Sequence, residues 1–183
     1  TLGTAAIAAQ AMTNILENVN GIFGIGVGMC LMTVVGQTLG AGRKEEAKYY
    51  VVKLAGIAEF GIIASCLLVY LLVEPITKLG GMEPESARMC IEMVGAITIV
   101  KPLVWVFSFV PAYGMRAAGD VKFSMMTSII TMWGCRVALS IALIRVFGMG
   151  PMAVWYGMFA DWTIRGIIFT TRFLSGKWIK KVV

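Results

Sequence analysis

The sequence predicts an all-α integral membrane protein with five transmembrane helices. Of its 183 residues, 58% are apolar and 14% are charged, whereas about one quarter of a soluble domain is charged. The mean hydropathy is +0.83. The apolar residues form blocks of about twenty or more, which is enough for a helix to cross the hydrocarbon core. Short stretches rich in glycine, proline or charge separate the blocks, so successive helices are expected to be antiparallel neighbours.

The first helix is predicted from about Thr4 to Leu39. With a rise of about 1.5 Å per residue, it is longer than the hydrocarbon core and must protrude, tilt or bend. Glycines recur in the run 21–28, which favours close helix packing and a hinge there. A phosphate-binding loop is the alternative interpretation of such a run. That alternative is disfavoured because no strand precedes the run and no lysine or serine follows at P-loop spacing.

The second and third helices follow across two short connections. The second is predicted from about Glu45 to Val73 and is expected to end at Val73-Glu74-Pro75, because proline disrupts a helix interior. The third starts near Pro84 and runs to about Arg116. It contains Pro102 and Pro111, and such interruptions are tolerated in membranes where other helices or a cavity satisfy the freed carbonyls.

The fourth helix is predicted from about Val121 to Phe147, with Asp120 as its N-cap. The fifth begins at Pro151 and ends near Leu174. No linker divides the chain, so residues 1–183 are expected to form one unit.

The basic residues lie at helix ends, which indicates membrane orientation rather than nucleic-acid binding. With five spans, nine basic residues fall on one side: Arg43, Lys44, Lys48, Arg116, Lys122, Arg172, Lys177, Lys180 and Lys181. Three fall on the other: Lys78, Arg88 and Arg145. The positive-inside rule therefore predicts a cytoplasmic C-terminus in the cell membrane. The first helix would then start outside from Thr1, and we expect at least one upstream span.

Three charged residues inside predicted spans are the candidates for binding a substrate or cation: Glu17, Lys101 and Asp161. A charge at the bilayer centre costs about 2.5–3.5 kcal/mol on insertion scales unless it is paired or hydrated. Glu17 has no cation three or four residues away and is either a functional carboxylate or a satisfied packing residue. Lys101 is either a gating charge or a counter-ion for Glu17 or Asp161.

Three further charges are interpreted as structural or relay groups: Glu59, Arg136 and Arg165. Asp161 and Arg165 are spaced i,i+4, which favours a structural ion pair. Arg136 is predicted as a third member of that network. Glu59 is predicted to face a headgroup or a neighbouring helix.

Histidine is absent, which excludes imidazole metal sites and histidine-based catalytic triads. The four cysteines lie in different apolar segments without a CxxC motif, and we interpret them as small buried hydrophobes. No metal site and no cofactor are predicted. An intramembrane enzyme is disfavoured, because Gly119-Asp120 lies in a turn rather than at mid-membrane depth.

Four motifs, in order along the chain, resemble those of the multidrug and toxic compound extrusion (MATE) transporter family. They are Leu2-Gly3-Thr4-Ala5-Ala6, Val35-Gly36-Gln37-Thr38-Leu39-Gly40-Ala41-Gly42, Met115-Arg116-Ala117-Ala118-Gly119-Asp120, and Asp161-Trp162-Thr163-Ile164-Arg165. The resemblance covers essentially the whole chain. It implies a six-helix lobe of a two-lobe transporter, with residues 1–183 as the C-terminal lobe without its first helix.

The resemblance also implies export of cationic or amphipathic compounds in exchange for Na⁺ or H⁺, with the coupling ion undecided. Some branches of the family carry a cation-coupling carboxylate in the third helix as numbered here, where this sequence has Lys101 and Trp105. The expected partners are a small-molecule substrate, the lipid bilayer and the N-terminal lobe of the same chain. The alternatives are a flippase for lipid-linked precursors, favoured by Lys101, Arg136 and Arg165, and a non-enzymatic membrane scaffold.

Overall fold

The computed structural model describes residues 3–179 and is built from five helices. They are α1 (Thr4–Gly40), α2 (Lys44–Leu79), α3 (Pro84–Ala117), α4 (Val121–Phe147) and α5 (Met152–Leu174). The first four are long and apolar enough to cross a membrane. The fifth has Asp161 and Arg165 in its middle. The all-α membrane fold predicted from the sequence is confirmed.

Helix α3 lies at the centre of the bundle. It packs against α1, α2 and α5, and it also contacts the start of α4. Its buried side chains extend along nearly its whole length and include Met93, Lys101, Trp105 and Met115. A helix buried on several faces must satisfy its polar groups within the protein, so the buried charge of Lys101 needs a partner from a neighbouring helix.

Small residues allow α1 to approach its neighbours closely. A Cβ atom added at Gly24 would lie 2.5 Å from the Trp105 ring and 3.0 Å from Ile62, and one added at Gly28 would overlap Tyr113. Close packing is therefore confirmed at this part of the glycine run, which stays helical throughout.

The turns after α1, α2 and α3 share one hydrogen-bonding pattern. In the first, the Arg43 amide donates to the Thr38 carbonyl and the Gly42 amide to the Leu39 carbonyl. This is a Schellman motif, in which the residue after the helix adopts a left-handed conformation that favours glycine. Gly42 has φ +78° and Gly119 has φ +79°. The glycine-rich motif at 36–42 is thus a helix-ending turn.

The predicted end of the second helix at Pro75 is wrong, because α2 continues through Pro75 to Leu79. Proline removes one amide donor, but the turn around it gains other bonds. The Thr77 hydroxyl donates to the Glu74 carbonyl, and Lys78 pairs with the Glu74 carboxylate at 3.2 Å. The Gly80-Gly81 turn then ends the helix.

Helix α4 is not regular, because residues Met132–Leu139 are π-helical. This segment lies against Gly157 of α5, where an added Cβ would be 3.1 Å from the Cys135 carbonyl and 3.3 Å from the Arg136 carbonyl. Asp120 precedes α4 as predicted, but its side chain makes no capping bond. Its carboxylate instead accepts two hydrogen bonds from Arg172 at 2.8 and 3.0 Å.

Replacing Gly24 by alanine is expected to destabilise the full-length protein by about 1–3 kcal/mol, because the new methyl group would collide with Trp105 and Ile62. Gly26→Ala is the matched control, since nothing lies within 4 Å of its Cβ position. It should stabilise the helix by about 0.5–1 kcal/mol. Thermal unfolding of both variants in one detergent measures the difference. Equal melting temperatures would contradict close packing at Gly24.

Candidate functional site

The Lys101 ammonium group is completely buried in the middle of the bundle. It donates to the Glu17 carboxylate at 2.6 Å and to the Glu17 backbone carbonyl at 3.0 Å. The two residues are 84 positions apart, so α1 and α3 bring together groups that local sequence spacing does not connect. Of the roles predicted for Lys101 from the sequence, the structure favours that of a counter-ion for Glu17.

The surroundings of Lys101 fit a cation. Its Nζ atom lies 5.6 Å from the centre of the Trp105 ring and 6.0 Å from that of Trp162, within the range of cation–π attraction. A Cβ atom at Gly21 would lie 3.3 Å from Nζ. Gly21 therefore allows the ammonium group to approach the backbone of α1 closely.

A cavity of about 280 Å³ adjoins this ion pair. Glu17 lies on its wall with 18% of its side chain exposed, whereas the Lys101 side chain is fully enclosed. Much of the remaining wall is aromatic and comes from Trp105, Phe109, Tyr113 and Trp162. Trp105 and Phe109 are stacked with ring centres 4.7 Å apart, and Phe109 meets Trp162 edge to face at 6.4 Å. The cavity thus places a partly accessible carboxylate beside flat aromatic faces.

The predicted pair of Asp161 and Arg165 is present on α5. One guanidinium nitrogen of Arg165 lies 2.8 Å from each Asp161 oxygen. Arg165 also donates to the Thr131 hydroxyl at 3.3 Å and to the Ser128 carbonyl at 3.5 Å, and it lies against the Phe109 ring. Only 2% of the Asp161 side chain is exposed, and Asp161 is not among the residues that line the Glu17 cavity. This geometry matches a structural ion pair that joins α5 to α4.

Arg136 lies elsewhere than the sequence predicts. It belongs to the π-helical segment of α4, is exposed, and lines the cavity that contains Glu17. Within the described residues, no hydrogen bond or ion pair connects it to Asp161, so its predicted place in that network is wrong. The π-helical turn moves Arg136 off the register that a regular α-helix would give it.

Glu59 faces a neighbouring helix, which is one of the two positions predicted for it. It lines a separate cavity between α2, α3 and α5. Its Oε2 atom is buried and has no hydrogen-bond partner among the described residues. Glu17 and Glu59 are therefore in contrasting states, because Glu17 is paired with Lys101 whereas Glu59 Oε2 has no partner among the described residues.

Of the aromatic wall of the Glu17 cavity, the sequence-based prediction connected only Trp105 with a cation site. Phe109 and Tyr113 follow Trp105 at intervals of four residues. Side chains four positions apart lie on one helix face, so this spacing was the available signal. Trp162 carried no such signal, because it reaches the cavity from another helix.

A family model described as MatE matches residues 1–142 of this chain. The chain is 24% identical to the probable multidrug resistance protein NorM of Thermotoga maritima, over 99% of this chain and 39% of that protein. It is 25% identical to the uncharacterized transporter YisQ of Bacillus subtilis, over 98% of this chain and 39% of that protein.

A further relative is named FAD transporter in Shewanella oneidensis, with 29% identity over 82% of this chain and 32% of that protein. The chain thus spans about two fifths of the length of the first two relatives. Their names apply to proteins that are more than twice as long as the sequence described here.

Asp161→Asn is expected to destabilise the full-length protein by about 3–5 kcal/mol, because it leaves the buried Arg165 charge without its partner. The control is Glu74→Gln, which breaks an i,i+4 pair whose side chains are 67% and 74% exposed. Exposed pairs contribute about 0–1 kcal/mol. Thermal unfolding compares the two variants. A loss for Asp161→Asn no greater than that of the control would contradict a buried structural pair.

Proposed function

We propose, from the premise that this chain belongs to the MatE family of membrane transporters, that the full-length protein performs secondary active efflux. The substrates would be cationic or amphipathic organic compounds, and the driving ion would be Na⁺ or H⁺. The chain described here would supply one lobe of the transporter. The N-terminal lobe of the same chain would supply the other, in the cell membrane with the C-terminus in the cytoplasm.

The observation that carries this proposal is the Glu17–Lys101 pair at the wall of an aromatic cavity. Glu17 is accessible from the cavity, and Lys101 is not. A proton or Na⁺ arriving from the cavity would therefore meet the carboxylate first. Flat aromatic faces beside a carboxylate are also suited to an organic cation with apolar rings.

Coupling would follow from competition for one carboxylate. While Glu17 is ionised and free of other cations, it compensates the buried Lys101 charge. Protonation or Na⁺ binding at Glu17 would weaken that compensation, and a buried ammonium without a partner is strongly unfavourable. A ligand shifts a conformational equilibrium by its differential affinity for the two states, and this difference would favour a rearranged lobe. Rocking of the two lobes about the cavity would then expose it to the other side.

The flippase alternative receives less support from the charges. Of the three basic residues that favoured it, Lys101 is paired with Glu17 and Arg165 with Asp161. Arg136 alone lies on the wall of the Glu17 cavity. One accessible guanidinium beside a carboxylate does not form the strongly basic cavity that a lipid-linked pyrophosphate would need. A scaffold without transport gives no reason for an ion pair beside a cavity.

Glu17→Gln in the full-length protein is expected to abolish efflux driven by an imposed Na⁺ or H⁺ gradient. It is also expected to destabilise the fold by about 3–5 kcal/mol, because Lys101 loses its partner. Ethidium efflux from proteoliposomes under each gradient separately measures the first effect, and thermal unfolding measures the second. Glu92→Gln is the control, since its exposed pair with Arg88 lies on the surface of α3.

The double variant Glu17→Gln with Lys101→Met separates coupling from stability. It removes both charges together, so the fold should regain most of the stability lost in Glu17→Gln, while gradient-driven efflux stays absent. Restored gradient-driven efflux in the double variant would mean that Glu17 only neutralises Lys101. Unchanged efflux in Glu17→Gln would remove Glu17 from the mechanism.

A further inference from the structure

Three neighbouring hollows lie along the side of the bundle where α2, α3 and α5 meet. The outer hollow, of about 630 Å³, lies where α2 begins and α5 ends. The middle hollow, of about 330 Å³, shares Phe173 and Leu174 with the outer one. The inner hollow, of about 380 Å³, shares Phe107 and Thr170 with the middle one. Because each hollow shares lining residues with the next, the three form one depression, which we call the α2/α5 groove.

The α2/α5 groove runs from one end of the bundle towards its middle. Its lining extends on α2 from Glu45 to Glu59, and on the α5 side from Gly176 back to Trp162. With a rise of about 1.5 Å per residue, the α2 side is about 20 Å long. Half of a bilayer of about 40–45 Å, headgroups included, has the same length. The groove therefore spans one leaflet.

The outer hollow is the charged end of the groove. Lys48 lines it, and the Lys53 ammonium group lies 5.5 Å from the ring centre of Tyr49, which also lines it. Lys177 directly follows the lining residues of the α5 side. One carboxylate is present, that of Glu45, which pairs with Lys48 at 2.8 Å and has 85% of its side chain exposed. Such exposed pairs are weak, so positive charge predominates at this end.

The middle and inner hollows are mostly apolar. Val51 and Val106 line the middle one, and Leu103 and Ile167 line the inner one. Among the described residues that line these two hollows, Glu59 is the only ionisable acid, and burial without a cation favours its neutral form. The inner part of the groove thus suits hydrocarbon, whereas its outer end suits a negative group.

The junction between the charged and apolar parts is held in place by aromatic packing. Phe173 lines both the outer and the middle hollow. Its ring is stacked on that of Trp178 with ring centres 5.4 Å apart, and the Trp178 indole donates to the Phe173 carbonyl at 3.2 Å. Trp178 is fully buried. The fold itself therefore shapes the groove at this point, as expected of a preformed binding site.

We propose that the α2/α5 groove binds one anionic glycerophospholipid. The lipid phosphate lies at the lysines of the outer hollow, and one acyl chain follows the middle and inner hollows towards the centre of the membrane. Basic pockets between membrane helices are suited to anionic headgroups. The groove is separate from the Glu17 cavity, so the proposal does not depend on the efflux function proposed above.

The occupant follows from the combination of charge and width. From Val51 to Glu59, α2 rises about 12 Å, and a helix about 10 Å wide would take roughly 900 Å³ over that length. The middle hollow has about 330 Å³, so it does not hold a further protein helix. A free phosphate ion would use the lysines but not the apolar walls, and an uncharged hydrocarbon would do the reverse. An anionic phospholipid uses both.

The headgroup is tested by native mass spectrometry of the full-length protein titrated with palmitoyl-oleoyl phosphatidylglycerol, which gives the affinity for the most tightly bound lipid. Lys48→Gln and Lys53→Gln are each expected to weaken this binding about fivefold, through loss of one charge near the phosphate. Lys122→Gln is the matched control, because this exposed lysine lines none of the three hollows. Phosphatidylcholine with the same acyl chains should bind more weakly, and inorganic phosphate should not displace the lipid.

The apolar part is tested by Gly56→Leu in the same titration. Gly56 lines the middle hollow, and nothing lies within 4 Å of its Cβ position, so leucine would occupy the volume intended for the acyl chain. Binding is expected to fall tenfold or more. Gly26→Leu is the control, since its Cβ position is equally open and it lines none of the three hollows.

Unchanged affinity in both lysine variants would overturn the proposal, because the headgroup would then lie elsewhere. Unchanged affinity in Gly56→Leu would also overturn it, including the case in which another part of the full-length protein or a second copy covers the groove. Displacement of the lipid by inorganic phosphate would mean that the acyl chain contributes nothing and would count against it equally. Circular dichroism and gel filtration verify that each variant is folded.

Discussion

The ion pair between Lys101 and Glu17 is the interaction on which the rest of this bundle depends. Lys101 lies on α3, the helix that packs against α1, α2 and α5 together, and its side chain is fully enclosed. A buried ammonium group is tolerable only with a close partner, so Glu17 fixes the axial position of α1 against α3. Gly21 adds to this fit, because a Cβ atom there would lie 3.3 Å from Nζ, closer than such atoms usually pack. Charge and shape therefore specify the same helix register.

The two buried ion pairs differ in ways that separate their roles. Asp161 and Arg165 lie on one helix, Arg165 also binds α4, and neither residue lines the Glu17 cavity. Glu17 and Lys101 come from different helices, and the acidic partner reaches a cavity. This pair stabilises the packing of α5 against α4. A pair whose carboxylate is accessible can exchange its partner for a proton or an ion, and only that arrangement connects solution conditions to helix packing.

Much of the fold was predictable because membrane helices are set by apolar length and by the residues that end them. Glycines after α1 and α3 marked those turns correctly, whereas Pro75 misled because a long helix tolerates a single missing amide bond. The partner of Glu17 was not decided by the sequence, since Lys101 lies 84 residues away and local spacing carries no information at that range. The π-helical segment had no sequence signal in residues 132–139. It accompanies the close approach of Gly157 to the α4 backbone, which is a tertiary feature.

Glu17 and Glu59 show how a single type of residue acquires different consequences in one bundle. Both are acidic residues within apolar helices, where the side chain either pairs with a positive group or takes up a proton, because an uncompensated charge is expensive at that depth. For Glu17, the protein supplies Lys101, so any incoming cation must compete with a resident one. For Glu59, the described residues that line its cavity supply none, and burial without a cation favours the neutral, protonated carboxyl group. Competition makes the first carboxylate suited to coupling, because each binding event displaces another. The difference follows from the position of one lysine on α3 rather than from the carboxylates themselves.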